Sequence, residues 1–176
     1  MKKKNENKGF TLVELIVVLV ILAILAAILV PALLGYIDRA RNQQIVLNAK
    51  TYMTATQAEL SSLYGQNVKA SDLTTKLGTD AVQKRIQDTA DVPECTLFEF
   101  ATKSVDTTTD PNSHAAFTVA FAVYGQGDKY IYFDGSAWIE AKTKADAEGA
   151  KPATGYGSFI TVKAPANSNS NQGQGN

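Results

Sequence analysis

Between Leu15 and Leu34 the chain carries no charged side chain, and this run constrains its fold more than any other feature. At 1.5 Å per residue, a helix of that length covers the ~30 Å hydrocarbon core of a bilayer. The run is apolar all round, so it needs lipid or other apolar helices on every side. Four lysines precede it (Lys2, Lys3, Lys4 and Lys8), against Arg39 and Arg41 just after it. That asymmetry predicts a single-pass segment in the cytoplasmic membrane with the N-terminus inside and the rest of the chain outside.

Glu14 does not fit a plain anchor. A carboxylate at the centre of a spanning helix costs roughly 2 to 4 kcal/mol, and near the helix start snorkelling and the positive end of the helix dipole relieve only part of this. It can simply reach water, or it can find a positive partner. A cut after Gly9 would supply one, because the new α-amino group of Phe10 has a pKa of about 8 and is protonated at neutral pH. Among packed helices, that amine on one subunit neutralises Glu14 of its neighbour and turns an expensive group into a register mark.

Gly9-Phe10-Thr11-Leu12-Val13-Glu14, behind a lysine-rich leader and ahead of an apolar run interrupted by Pro31, resembles the class III leader of type IV pilins and pseudopilins. The resemblance is dense from Lys8 to Arg41. It implies that a prepilin peptidase cuts between Gly9 and Phe10 and N-methylates Phe10, and that Glu14 pairs with a neighbouring Phe10 amine during assembly. It also implies an assembly ATPase and a membrane platform protein as partners. Many relatives carry a glycine in the middle of the apolar run where this chain has Ala23. Any local melting of the helix in a filament is therefore expected around Pro31. A secretory signal peptide is the rival reading. Against it stand the length of the apolar run, Glu14 at its start, and the poor cleavage site Val30-Pro31-Ala32.

Composition narrows the rest. The 176 residues allow one membrane segment and one modest domain. Basic and acidic residues are both 17, and removing a leader with four lysines and Glu6 leaves 13 against 16. A mildly acidic mature chain is a poor nucleic-acid binder. The one cysteine, Cys95, forbids an intramolecular disulfide and reads as a buried small hydrophobe. Many Gram-negative relatives close a C-terminal loop with a disulfide, so the chain resembles more the cysteine-poor pilins of Gram-positive bacteria.

Beyond Asp38, Ile45, Ala49, Tyr52, Thr56, Leu60 and Leu63 recur at steps of three and four. This predicts one long helix from Phe10 to about Tyr64, continuing through Pro31 and stopping at Gly65, with its second half amphipathic. Ser71-Asp72-Leu73 reads as an N-cap, and Asp80 with Gln83 as a second capped piece through Ile86. From Cys95 the period becomes two. Phe117, Val119, Phe121 and Val123 place a bulky set on one face, against the helix stripe. Lys129–Phe133, then Asp134-Gly135 before Ala137–Glu140, read as a hairpin, and Ser158–Val162 as a last strand. The expected fold is α+β, that of the type IV pilins: one long N-terminal helix, its hydrophobic half protruding and its amphipathic half packed on four or five antiparallel strands. The expected organisation is leader 1–9, cleaved; hydrophobic transmembrane or filament-core half 10–36; globular head 37–164; and disordered tail 165–176.

No grouping of serine, histidine and carboxylate suggests catalysis, and no glycine-rich loop opens a helix, so no enzyme activity and no cofactor are expected. His114 reads as a solvated loop residue. Asp106, Asp110, Asp128 and Asp134 lack metal-ligand spacing and read as turn formers, with no metal expected. The aromatics Tyr124, Tyr130, Tyr132, Phe133, Trp138 and Tyr156 read as packing on strands, with an adhesive face as the alternative. The residues expected to matter are Gly9 and Phe10 for processing, and Phe10, Glu14 and Pro31 for assembly. The expected function is a major pilin that polymerises into a helical surface filament. Alternatives are a pseudopilin of a type II secretion or competence system, a minor pilin, or a membrane-anchored binding module.

Overall fold

The structure, a computed structural model, describes residues 10–165. The leader Met1–Gly9 and the tail beyond Pro165, read from sequence as cleaved and disordered, lie outside the described residues. Two compact units divide the chain, one up to Gln43 and one from Gln44.

Helix α1 spans Leu12–Gly65 and includes Pro31. In the first unit, every residue from Phe10 to Arg41 is exposed, and the helix is long and apolar enough to cross a membrane. From Gln44 on, its character changes. The stripe Ile45, Ala49, Tyr52, Thr56, Leu60 and Leu63 is buried, as the three-and-four spacing predicts. Each fully buried large side chain in such a stripe contributes about 1.5 to 3 kcal/mol relative to an exposed one.

After Gly65 come a 3-10 turn Ala70–Asp72 and two short helices, α2 (Leu73–Leu77) and α3 (Asp80–Ala90). Neither carries the expected side-chain cap. Asp80 lies one residue inside α3 and pairs with Lys163. Gln83 is drawn away to the sheet, and Thr79, at the N-cap, spends its hydroxyl on the Lys76 carbonyl. Helix α3 runs past Ile86 to Ala90, and Arg85 grips both carboxylate oxygens of Glu59 on α1.

The sheet has five antiparallel strands, β1 (Cys95–Thr102), β2 (Val119–Gln126), β3 (Lys129–Phe133), β4 (Trp138–Ala141) and β5 (Ile160–Val162), in the order β4-β3-β2-β1-β5. Gly127 closes the β2–β3 hairpin with φ of 61°, a left-handed conformation that glycine adopts without a Cβ penalty. Asp134 holds the β3–β4 turn by accepting from the backbone N–H groups of Ser136 and Ala137. Asp106 likewise accepts from Thr108 N–H, so both are turn formers. His114 is exposed, as expected, but belongs to a 3-10 turn, His114–Phe117, and sets its ring edge-on to Tyr64.

The expectation of one bulky face is overturned. Tyr124, Ala122, Phe98, Phe100 and Val119 lie in the core cluster with the α1 stripe, whereas Phe121 and Val123 belong to a second cluster. The cause is a register shift: Ala101 faces Phe121, but Thr102 faces Val119, so Ala120 is an extra residue on β2. One extra residue turns every later side chain to the opposite face. The second face is covered by a short helix the sequence reading did not place, α4 (Lys144–Gly149), and by the strap after it. Ala147, Tyr156 and Phe159 pack there against Phe121, Tyr132 and Leu97. The central strand β2 is therefore buried on both sides, while β3 and β4 are half-buried, their aromatic residues packed on neighbours: Phe133 lies on Trp138, and Tyr132 stacks on Phe121.

Candidate functional site

The start of α1 is built by a threonine and a glutamate three residues apart. Thr11, just ahead of the first helical residue, accepts the Glu14 N–H on its hydroxyl at 3.3 Å. The Glu14 carboxylate reaches back and accepts the Thr11 N–H at 2.8 Å and the Thr11 hydroxyl at 2.7 Å, all on one oxygen, Oε2. This is a capping box, in which two otherwise unpaired helix-start donors satisfy each other's residues. It folds the carboxylate back toward Phe10 and leaves Oε1 without a partner among the described residues. The sequence reading sought a cation for Glu14 and overlooked the Thr11-x-x-Glu14 spacing, the signal by which the box was legible.

Around this polar knot the helix is bare. Phe10, Leu12, Val13, Leu15 and Ile16 are all exposed, and Glu14 is the only charged residue between Thr11 and Leu34. Phe10 and Glu14 lie within one turn. Pro31 is seventeen residues on from Glu14, about 25 Å along the axis, so one subunit does not bring it to the other two. Proline has no N–H to offer the Ala27 carbonyl one turn back, which marks a weak point in the backbone ladder. Gly35, a turn later, has nothing within 4 Å of where a Cβ would stand. Gly9 lies outside the described residues.

The arrangement is a surface for apolar packing with one carboxylate at its tip. Residues 4–30 match the family model of the prokaryotic N-terminal methylation motif. The chain carries the class III signal peptide of type IV pilin-like proteins. This prepilin motif implies processing by a prepilin peptidase and assembly into a pilus or a secretion apparatus. With the apolar helix it fits membrane anchoring before assembly. The motif ends at Val30, and beyond it the fold speaks: a long N-terminal helix on a five-stranded antiparallel sheet, consistent with the type IV pilin fold. Motif and fold together indicate a structural protein. A search of curated proteins finds no match to the chain, and neither does a search of solved structures.

In the head the titratable groups serve packing. Burial pushes the Cys95 thiol up to about 11, so it stays protonated at neutral pH and inert as a nucleophile. Tyr52 is also raised, first by burial and then by the neighbouring Cys95. Burial works against ionisation of Glu99, but hydrogen bonds from Lys151 and Thr161 and the charges of Lys151 and Lys144 outweigh it and hold the carboxyl below its ordinary range. Among the described residues, no cluster of three or more histidine, cysteine or acidic side chains is placed to hold a metal.

Proposed function

We propose that this chain is the major pilin of a type IV pilus, cleaved after Gly9, N-methylated on Phe10 and polymerised through its N-terminal helix. The carrying observation is the prepilin motif set on the first part of α1, which up to Leu34 is exposed throughout and charged only at Glu14. Before assembly the helix anchors the subunit in the cytoplasmic membrane. In the filament it lies among helices of its own kind. Lipid and helix bundle are equally apolar, so burial alone hardly drives the transfer, and van der Waals packing supplies the contact. Register comes from charge: the Phe10 amine of one subunit meets Glu14 of the next, through the oxygen that the capping box leaves unengaged. Such a contact is head-to-tail and does not close, so it propagates as an open helix. Energy for extraction comes from an assembly ATPase acting through a membrane platform protein.

The test is the intact mass and N-terminal sequence of protein sheared from the cell surface. A chain beginning at N-methylated Phe10 and forming the bulk of long filaments is the expected result. A chain beginning at Met1 or near Leu33 sinks the processing step. Correctly processed chain confined to short, wall-spanning assemblies, or sparse along the fibre, assigns it as a pseudopilin or a minor pilin.

A further inference from the structure

The uncharged run of α1 closes at Leu34, and Tyr36, Ile37, Arg39 and Arg41 follow within the next two turns, all of them exposed. Residues three or four apart share a helix face. Arg39 therefore stands one turn beyond Tyr36, and Arg41 one turn beyond Ile37, on a different face. Each arginine is thus set over a large aromatic or apolar side chain. Asp38 is the only acidic residue on α1 between Glu14 and Glu59. Among the described residues, neither it nor either arginine takes part in an ion pair.

Two arginines at this end run against the bias of spanning helices, which keep basic residues on the cytoplasmic side. An anion that meets them there offsets that bias. Side chains on a helix lean toward its N-terminus, which for Arg39 and Arg41 is the direction of the apolar run. Their backbones lie roughly 7.5 and 10.5 Å beyond Leu34 along the axis. The headgroup layer on one side of a bilayer is about 5 to 7.5 Å deep, so long side chains that lean back bring both guanidinium groups into it. Tyr36 falls at the membrane boundary, where tyrosine is enriched. A guanidinium carries a planar fork of N–H donors that fits two phosphate oxygens at once.

We infer that Tyr36–Arg41 forms a collar that binds anionic phospholipids of the outer leaflet, of the phosphatidylglycerol class. Arg39 and Arg41 each take a headgroup phosphate on their own side of the helix, and Tyr36 and Ile37 lie against the lipid below it. A zwitterionic headgroup carries its own cation and gains less from the collar. The inference rests on membrane anchoring and is independent of whether the chain polymerises.

Native mass spectrometry of the full chain, released from nanodiscs of equal phosphatidylglycerol and phosphatidylcholine, tests it by the lipids that leave with the protein. The leader lysines also attract anionic lipid, so the decisive chain carries Lys2→Gln, Lys3→Gln, Lys4→Gln and Lys8→Gln together. That chain is expected to retain phosphatidylglycerol at least fourfold over phosphatidylcholine. Adding Arg39→Gln and Arg41→Gln is expected to lower the preference at least threefold, with the near-UV dichroism of the head unchanged as the check on folding. Equal retention of the two lipids by the leader-neutral chain overturns the collar. So does an undiminished preference in the folded chain that lacks both arginines.

Discussion

Tyr52 and Thr56 stand one turn apart on α1, both fully buried, and among the described residues neither hydroxyl has a hydrogen-bond partner. An unsatisfied buried hydroxyl costs about 1 to 3 kcal/mol. Thr56→Val, which keeps the shape and removes the polar atom, is therefore expected to leave the head unchanged or to stabilise it by about 1 kcal/mol, measured by urea unfolding. A loss of stability would mean that an ordered water holds that hydroxyl. Residues of this kind explain what was legible. The stripe containing Tyr52 and Thr56 could be read because burial on a helix repeats every three to four positions. Gln57 and Gln83 could not: a glutamine beside a stripe carries no signal of its own, and Gln83 three residues after Asp80 reads as part of a helix cap. Each instead turns its amide to the sheet: Gln57 donates to Phe117 O and accepts from Val119 N–H, and Gln83 does the same with Thr161 O and Lys163 N–H. Nothing in their spacing announces that use.

At the scale of elements, the misassigned face of β2 has a plain cause: alternation predicts facing only while register holds, and one inserted residue, Ala120, ended it. Helix α4 was missed for its brevity, although Thr143 and Asp146 form a complete capping box that the spacing signals. Two predictions concern the second face. A Cβ on Gly125 would lie 2.8 Å from the Tyr130 ring and 3.1 Å from the Leu97 Cβ. Gly125→Val is expected to cost about 1 to 3 kcal/mol, read from the shift in the denaturation midpoint. The strap after α4 is tied down by the ion pair of Lys151 with Glu99, while Lys151 also lies 5.1 Å from the Phe159 ring centroid. Because the Glu99 carboxyl is held below its unfolded value, the bond contributes fully above the ordinary carboxylate range and is lost as pH falls through the lowered folded value. Acid unfolding followed by tyrosine fluorescence should thus show Glu99→Gln less stable than the parent at pH 7, with the gap closing below about pH 4.

For the whole molecule, the chain divides between Gln43 and Gln44 into two compact units. The core clusters lie entirely from Ile45 onward. Glu14→Ala is therefore expected to abolish filaments while leaving the near-UV dichroism and melting temperature of the head unchanged. Normal filaments from this variant would remove the proposed pairing of Glu14 with a neighbour's Phe10. Sheared yield and electron microscopy give one readout and calorimetry the other. The change of character along α1 is legible because a run apolar on every side cannot share a core with a stripe that is apolar on one. The two edges of the head's sheet differ in a way that matters for crowding. Along β5 the outward backbone groups are already engaged by Gln83 and Gln87, which donates to the Lys163 carbonyl. Strand-to-strand aggregation needs two usable edges per molecule to keep growing. With one of them stoppered, heads pressed together at high local concentration can at most join in pairs along β4, and stacking into fibrils ends at the second molecule.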